Sequence, residues 1–241
     1  MILLPADTHI GASYDGESQT MSLPLRILEP GRWAGLAFVL GHELQHALNM
    51  PVMDEREKRF LETTGDIAQT THDYSPAIRD YIADQRTNEA SAHLAGWNAV
   101  AELIRTADPN ATIDKIVRKT PWAADFVRPN NTSGLADLRP GLTVRPDLSF
   151  DLSPSNIEAM ARYYFDKKPE QTAIGDIGTS DYRNDYGAWA VMQAAAFHRY
   201  FTRDVEPPPP MIINLTQLGL SRQIMEENGI DLEGVPAQPY L

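Results

Sequence analysis

Two histidines four residues apart, with a carboxylate beside the first, stand in the stretch Gly41-His42-Glu43-Leu44-Gln45-His46-Ala47-Leu48-Asn49. On an α-helix residues i and i+4 share a face, so the imidazoles of His42 and His46 can each offer one lone pair to the same ion. That geometry suits zinc, which neutral imidazoles bind well. Glu43, next to the first ligand, leans toward the same side and can reach a water held by the metal. The pattern reads as ligand, base, ligand.

The elements that must hold these groups can be read around them. Residues 31–49 carry Trp33, Leu36, Phe38, Val39, Leu40, Leu44, Ala47 and Leu48, an apolar helix suited to a core. Two histidines and a glutamate inside such a helix are costly without a partner that compensates their burial. A turn is expected at Pro51, followed over residues 53–71 by a solvated helix that begins with Asp54, Glu55, Arg56, Glu57, Lys58 and Arg59. Asn49 is then a helix terminator or a group that supports the ligands from behind. Ser75-Pro76 places a capping hydroxyl before a proline at the first helical position, and no other proline or glycine interrupts the chain until Gly96. A long helix from about Pro76 to Thr106 follows, with Ile78, Ile82, Gln85, Glu89, Ala92, Gly96, Ala99 and Leu103 as its inward stripe. Glu89 is the intruder in that stripe. Arg86, Glu89 and His93 lie on neighbouring turns, and two imidazoles that hold zinc need a third protein ligand, for which Glu89 is the best supplied.

With these residues in view, the chain resembles the HExxH zincin metallopeptidases whose third ligand is a glutamate on a later helix, the gluzincin kind. Asn88-Glu89-Ala90-Ser91-Ala92-His93 looks like the second motif of such families, with His93 where a supporting aspartate usually stands. The role of His93 stays open between orienting group, fourth ligand and transition-state donor. Residues 10–100 are also loosely similar to metallopeptidase domains of bacterial effectors and toxins. The resemblance implies a zinc-dependent hydrolase of amide bonds with Glu43 as the catalytic base. It further implies a protein, peptide or cell-wall peptide substrate and, for a toxin, an inhibitor or immunity protein as partner. Residues 8–28 read as a β-hairpin turning at Asp15-Gly16-Glu17-Ser18. In zincins the strand before the metal helix often edges the cleft and pairs with an extended substrate. The second strand here can do the same, or the hairpin can simply cover the core.

Beyond this part, Ile113, Ile116 and Val117 mark a short helix, and residues 128–154, rich in Pro, Asn and Gly, read as a long loop or lid. Ser153-Pro154 starts a helix through Phe165 that carries Met160, Tyr163 and Tyr164. Gly178-Thr179-Ser180-Asp181 with Tyr186-Gly187 is similar to the motif of the aspartate-ligand zincins, although Tyr186 is displaced by two positions. The simpler reading is an aspartate-rich turn that includes Asp176 and caps a core helix from Tyr186 to Phe201. Pro207 to Pro210 is stiff, and the residues after it are expected to wrap the surface as an arm, helical from Leu218 to Asn228. The expected architecture is α+β and mostly helical, with a small N-terminal sheet beside the metal helix. One domain spans residues 1–205, and a proline-rich linker and arm, residues 206–241, pack on it.

The 241 residues carry 21 basic and 33 acidic side chains, a net charge of -12, which speaks against nucleic acid or an anionic membrane as the main partner. There is no cysteine, so a metal must be held by His, Glu or Asp. Met1-Ile2-Leu3-Leu4-Pro5 lacks the basic start of a secretory signal, and no apolar run is long enough to span a bilayer. A soluble protein is expected, cytoplasmic or exported by a route without a cleaved signal. An oxyanion donor is also required, for which Tyr163, Tyr186, His93 and His198 are candidates, with Arg86 as a further supporting group. The competing reading is a non-catalytic module whose His and Glu form a closed metal site or a hydrogen-bonded core. Glu43 separates the two, since a closed site has no use for a carboxylate beside an open position.

Overall fold

A computed structural model describes residues 1–5, 12–16, 18–29, 31–130, 132–172, 174–175, 177–230 and 232. Of the positions used above, residues 8–11, Glu17, Pro30, Asn131, Asp176 and 233–241 lie outside the described residues. The architecture is α+β and mostly helical, as expected. The chain divides into two units, Met1–Met50 with Thr87–Tyr164, and Pro51–Arg86 with Phe165–Leu241.

The first unit begins with strands β1 (Ile2–Leu4), β2 (Ser13–Asp15) and β3 (Thr20–Pro24). β2 and β3 form the expected antiparallel hairpin, with Tyr14 opposite Met21. The second strand is not the edge of the sheet. The apolar run Ile2-Leu3-Leu4 adds a parallel strand on its other side, so β3 is central in the order β1-β3-β2 and has no free edge for a substrate.

Helix α1 (Trp33–Ala68) follows, and it corrects the expected turn, because Pro51 lies inside it. A proline in a helix interior removes one hydrogen bond and crowds the preceding turn, a loss of about 3 kcal/mol. Burial of Phe38 and Val39 before it and of Phe60 and Ala68 after it holds the helical conformation on both flanks. One of the boundaries between the two units falls at this proline, after Met50.

Helix α2 (Ser75–Ala107) has the expected start and length. Its inward stripe holds as far as Gly96, but Leu103 is 44% exposed while Val100, Ala101 and Ile104 are buried. The 3.6-residue period drifts over this length, so the phase set by Ile78 and Ile82 no longer points inward a further six turns on.

The first unit closes around Trp97, Phe126, Phe150 and Met160, all buried. It also contains α3 (Ile113–Val117), a 3-10 turn at Pro121–Asp125, and α4 (Pro154–Tyr163) capped by Ser153. The stretch expected as a lid is instead tied down. Strands β4 (Val127–Pro129) and β5 (Ala136–Leu138) pair in an antiparallel hairpin. Asn98 then clamps the backbone of Phe150 in both directions, at 2.8 and 2.7 Å, and the Trp97 indole donates to the carbonyl of Leu148 at 2.8 Å. Buried Phe150 and Leu142 anchor a segment whose Pro and Gly content alone reads as loop.

The second unit has its own core, with Phe60, Tyr74, Ile78, Phe165, Val191 and Ile213 among its buried residues. Asp181 accepts from the Asn184 amide and caps α6 (Tyr182–Thr202), so the aspartate-rich turn is a helix cap. Residues 211–225, expected to wrap the surface, pack inward instead. Met211, Ile213, Leu215, Leu218, Leu220 and Met225 are each buried in that core. The single helix expected from Leu218 is two short ones, α7 (Leu215–Leu218) and α8 (Arg222–Glu227), separated at Gly219, whose φ of 69° ends α7. A further helical turn, α5, is Pro169–Thr172. Among the described residues no helix is long and apolar enough to cross a membrane.

Candidate metal centre

Two glycines let α1 and α2 approach closely beside the histidine pair. A Cβ on Gly41 would lie 2.8 Å from the Ala95 carbonyl oxygen and 2.8 Å from Ala99 Cβ, and one on Gly96 would lie 2.8 Å from the Phe38 carbonyl oxygen. No larger residue fits either position without parting the helices. The first half of α1 is thereby pressed against α2, with His42 next to Gly41 and Glu89 two turns before Gly96.

His42 Nε2 and His46 Nε2 are 3.1 Å apart, and Glu89 places one carboxylate oxygen 3.6 Å from the first and the other 3.7 Å from the second. Three ligands about 2.0–2.1 Å from an ion at tetrahedral angles would be about 3.4 Å from one another. The observed separations bracket that value, and the three side chains form a group that could hold a metal ion. His42 and Glu89 are 9% and 4% exposed, so the donor set is a polar island in a core.

Glu43, 5% exposed, lies beside this group. Burial pushes its carboxyl up from the ordinary range and the nearby Glu89 adds to the effect, while His42 and the backbone amide of Tyr14, which donates to it, pull the other way. The N–H of Tyr14 thus serves the base from strand β2. Burial lowers the basicity of His46, opposed by Glu89 and by a hydrogen bond to the side chain of Asn88, with His42 adding to the lowering.

His93 is not among the three clustered ligands. Its Nε2 lies 3.2 Å from Asp125, and its ring is stacked on Tyr164 at 3.7 Å and on Phe126 at 5.1 Å. The His42 ring is 5.9 Å from that of His93 and 6.0 Å from that of Tyr164.

The other expected residues fall elsewhere. Tyr163 donates to the Pro140 carbonyl at 3.0 Å and carries the Arg139 guanidinium over its ring, while its neighbour Tyr164 lies beside His42 and His93. One residue of helical rotation, about 100°, decides which tyrosine faces the site. Arg86 is paired with Asp166 in the second unit at 2.7 Å. Tyr186 packs among Phe165 and Tyr182, and His198 joins Tyr74 and the Pro209 carbonyl, all in the second unit. Asn49 does not end a helix; it hydrogen-bonds Asn88 and Ser91.

Sequence reasoning missed Asp125, Tyr164, Asn88 and Tyr14 as neighbours of the candidate site. Asp125 had a visible signal, a lone carboxylate inside the apolar run Ala123-Ala124-Asp125-Phe126-Val127. Asn88 opened the second motif but carried no role there, and Tyr164 and Tyr14 had no such signal. Comparison with protein families, with curated proteins and with solved structures found no match for this chain.

Proposed function

We propose that this protein is a zinc-dependent hydrolase of peptide amide bonds. The observation that supports the reading is the convergence of His42, His46 and Glu89 within 4.8 Å, with the buried carboxylate of Glu43 alongside. Zinc held by those three residues would supply Lewis acidity and a water made acidic enough to ionise near neutrality. Glu43, oriented by the Tyr14 N–H, takes the proton of the attacking water and passes it to the leaving nitrogen. Tyr164, edge-on to His42 and stacked on His93, is the candidate donor to the developing oxyanion. The Asp125–His93 contact holds the ring on which Tyr164 rests. Resemblance to effector and toxin metallopeptidase domains supports a protein or a cell-wall peptide as substrate. β3 is enclosed on both sides, so an extended substrate is not bound by that strand.

The test is zinc content and peptidase activity of the wild type beside Glu43→Gln, with protein and cell-wall peptide substrates. Retained zinc with turnover reduced at least about a thousandfold supports the proposal. Full activity in Glu43→Gln, or stoichiometric zinc in a wild type that hydrolyses neither substrate class, overturns it in favour of a closed structural site.

A further inference from the structure

The close approach of α1 and α2 at Gly41 and Gly96 is apolar packing, which has no direction and does not by itself fix the roll of α1 about its axis. A polar clamp two turns further along α1 does. Asn49 donates one N–H to Asn88 Oδ1 at 2.8 Å and the other to Ser91 Oγ at 2.9 Å, while its own Oδ1 accepts from Gln45 Nε2 at 2.8 Å. Ser91 can accept because its hydroxyl hydrogen goes to the Asn88 backbone carbonyl at 2.8 Å. At this side-chain length only asparagine offers two donors and an acceptor, so all three contacts depend on its amide. The placement follows the candidate ligands. On α1, His42 and His46 lie between Gly41 and Asn49, and on α2, Glu89 lies between the two residues that Asn49 holds.

We propose that Asn49 is a positioning residue of the metal centre, fixing the roll of α1 against α2 and with it the distance from each imidazole to Glu89. The inference rests on the reading of His42, His46 and Glu89 as ligands. The tolerance is narrow. Two atoms that share one zinc ion can be no more than about 4.2 Å apart, and the observed 3.6 and 3.7 Å leave about 0.5 Å to spare. A side-chain tip about 5–6 Å from the helix axis moves that far when the helix rolls by about 5°. The same displacement at Asn49 would stretch its bonds to Asn88 and Ser91 beyond about 3.2 Å, the limit of a good N–H···O contact, so the clamp resists the roll that the site cannot tolerate.

Asn49→Leu removes the clamp with little change of volume. The control is Asn98→Ala, which cuts an unrelated amide clamp in the same unit, about two and a half turns along α2 from Glu89. The readouts are the zinc affinity of the folded proteins, by competition with a chelator, and the visible spectrum of the cobalt-loaded proteins, which reports the arrangement of the donors. Asn49→Leu is expected to weaken zinc binding by about tenfold or more and to alter the cobalt spectrum. Ser91→Ala, which removes one of the two acceptors, should weaken it by at least about threefold, and it carries the test if Asn49→Leu does not fold. Asn98→Ala should keep zinc affinity within about twofold of the wild type. Wild-type zinc affinity in Asn49→Leu, or in Ser91→Ala where Asn49→Leu does not fold, overturns the inference and leaves the ligand assignment standing. An equal loss in Asn98→Ala also overturns it, since the clamp would then act only through general stability. A wild type that binds no zinc overturns the ligand assignment and this inference together.

Discussion

Gly41→Ala is the substitution whose effect the geometry determines most directly. In an ordinary helix this change stabilises, by about 0.5–1 kcal/mol, because alanine has less backbone freedom to lose. Here the new methyl would sit 2.8 Å from the Ala95 carbonyl oxygen and 2.8 Å from Ala99 Cβ, against backbone and a side chain with no rotamer to change. Relief requires α1 and α2 to part by roughly 0.5–1 Å, and overpacking of that kind costs about 1–3 kcal/mol, so the net change is destabilising by about 0.5–2 kcal/mol. His42 is the next residue, and the parting carries its Nε2 from 3.6 Å toward more than 4 Å from Glu89. Two ligands of one zinc ion can be no more than about 4.2 Å apart, so zinc affinity should fall by about tenfold or more. The control is Gly35→Ala on the same helix, where an added Cβ meets nothing within 4 Å. Urea denaturation of the metal-free proteins and competitive zinc titration should show Gly35→Ala neutral or stabilised with unchanged zinc binding, and Gly41→Ala impaired in both. Equal behaviour of the two variants would refute the claim that this close approach builds the site.

Two further expectations concern packing and pH. Asn98→Ala leaves the buried N–H and C=O of Phe150 without their partners and should destabilise the protein by about 2–4 kcal/mol in urea denaturation; a loss under 0.5 kcal/mol would mean that the segment is not held there. In the second unit, burial, with His72 and Arg199 adding to it, holds the His198 imidazole below the ordinary 6.5, against a raising contribution from the Pro209 carbonyl. The folded protein then binds this proton less readily than the unfolded chain, so its stability is full above pH 6.5 and declines as pH falls below it. His198→Gln should flatten the melting temperature between pH 7 and pH 5, and an unchanged slope would exclude His198 as the source.

The candidate ligands were legible because their chemistry is local. His42 and His46 need only one helix to share a face, and Glu89 shows itself as a carboxylate in the helical stripe that runs through Ile78, Ile82, Ala92 and Gly96. The caps at Ser153 and Asp181 act over a few residues and could be read in the same way, whereas the Ser75 hydroxyl, expected to cap α2, accepts from the Asn214 amide instead. Pro51 misled because proline reports a local penalty, whereas the burial on both sides that outweighs it comes from residues far away in the chain. The lid that proved to be an anchored hairpin failed for the same reason, since Trp97 and Asn98, some fifty residues earlier, hold it.

By itself, then, the sequence determined the helical periodicity, the two motifs and the donor types, all of which depend on short-range geometry. Only the tertiary structure decided that Gly41 and Gly96 bring the motifs together, that Tyr164 rather than Tyr163 lies against His42, and that Asn49 donates to Asn88 and Ser91. Those outcomes depend on helix rotation and on hydrogen-bond direction set by residues distant in the chain, and no local pattern encodes either.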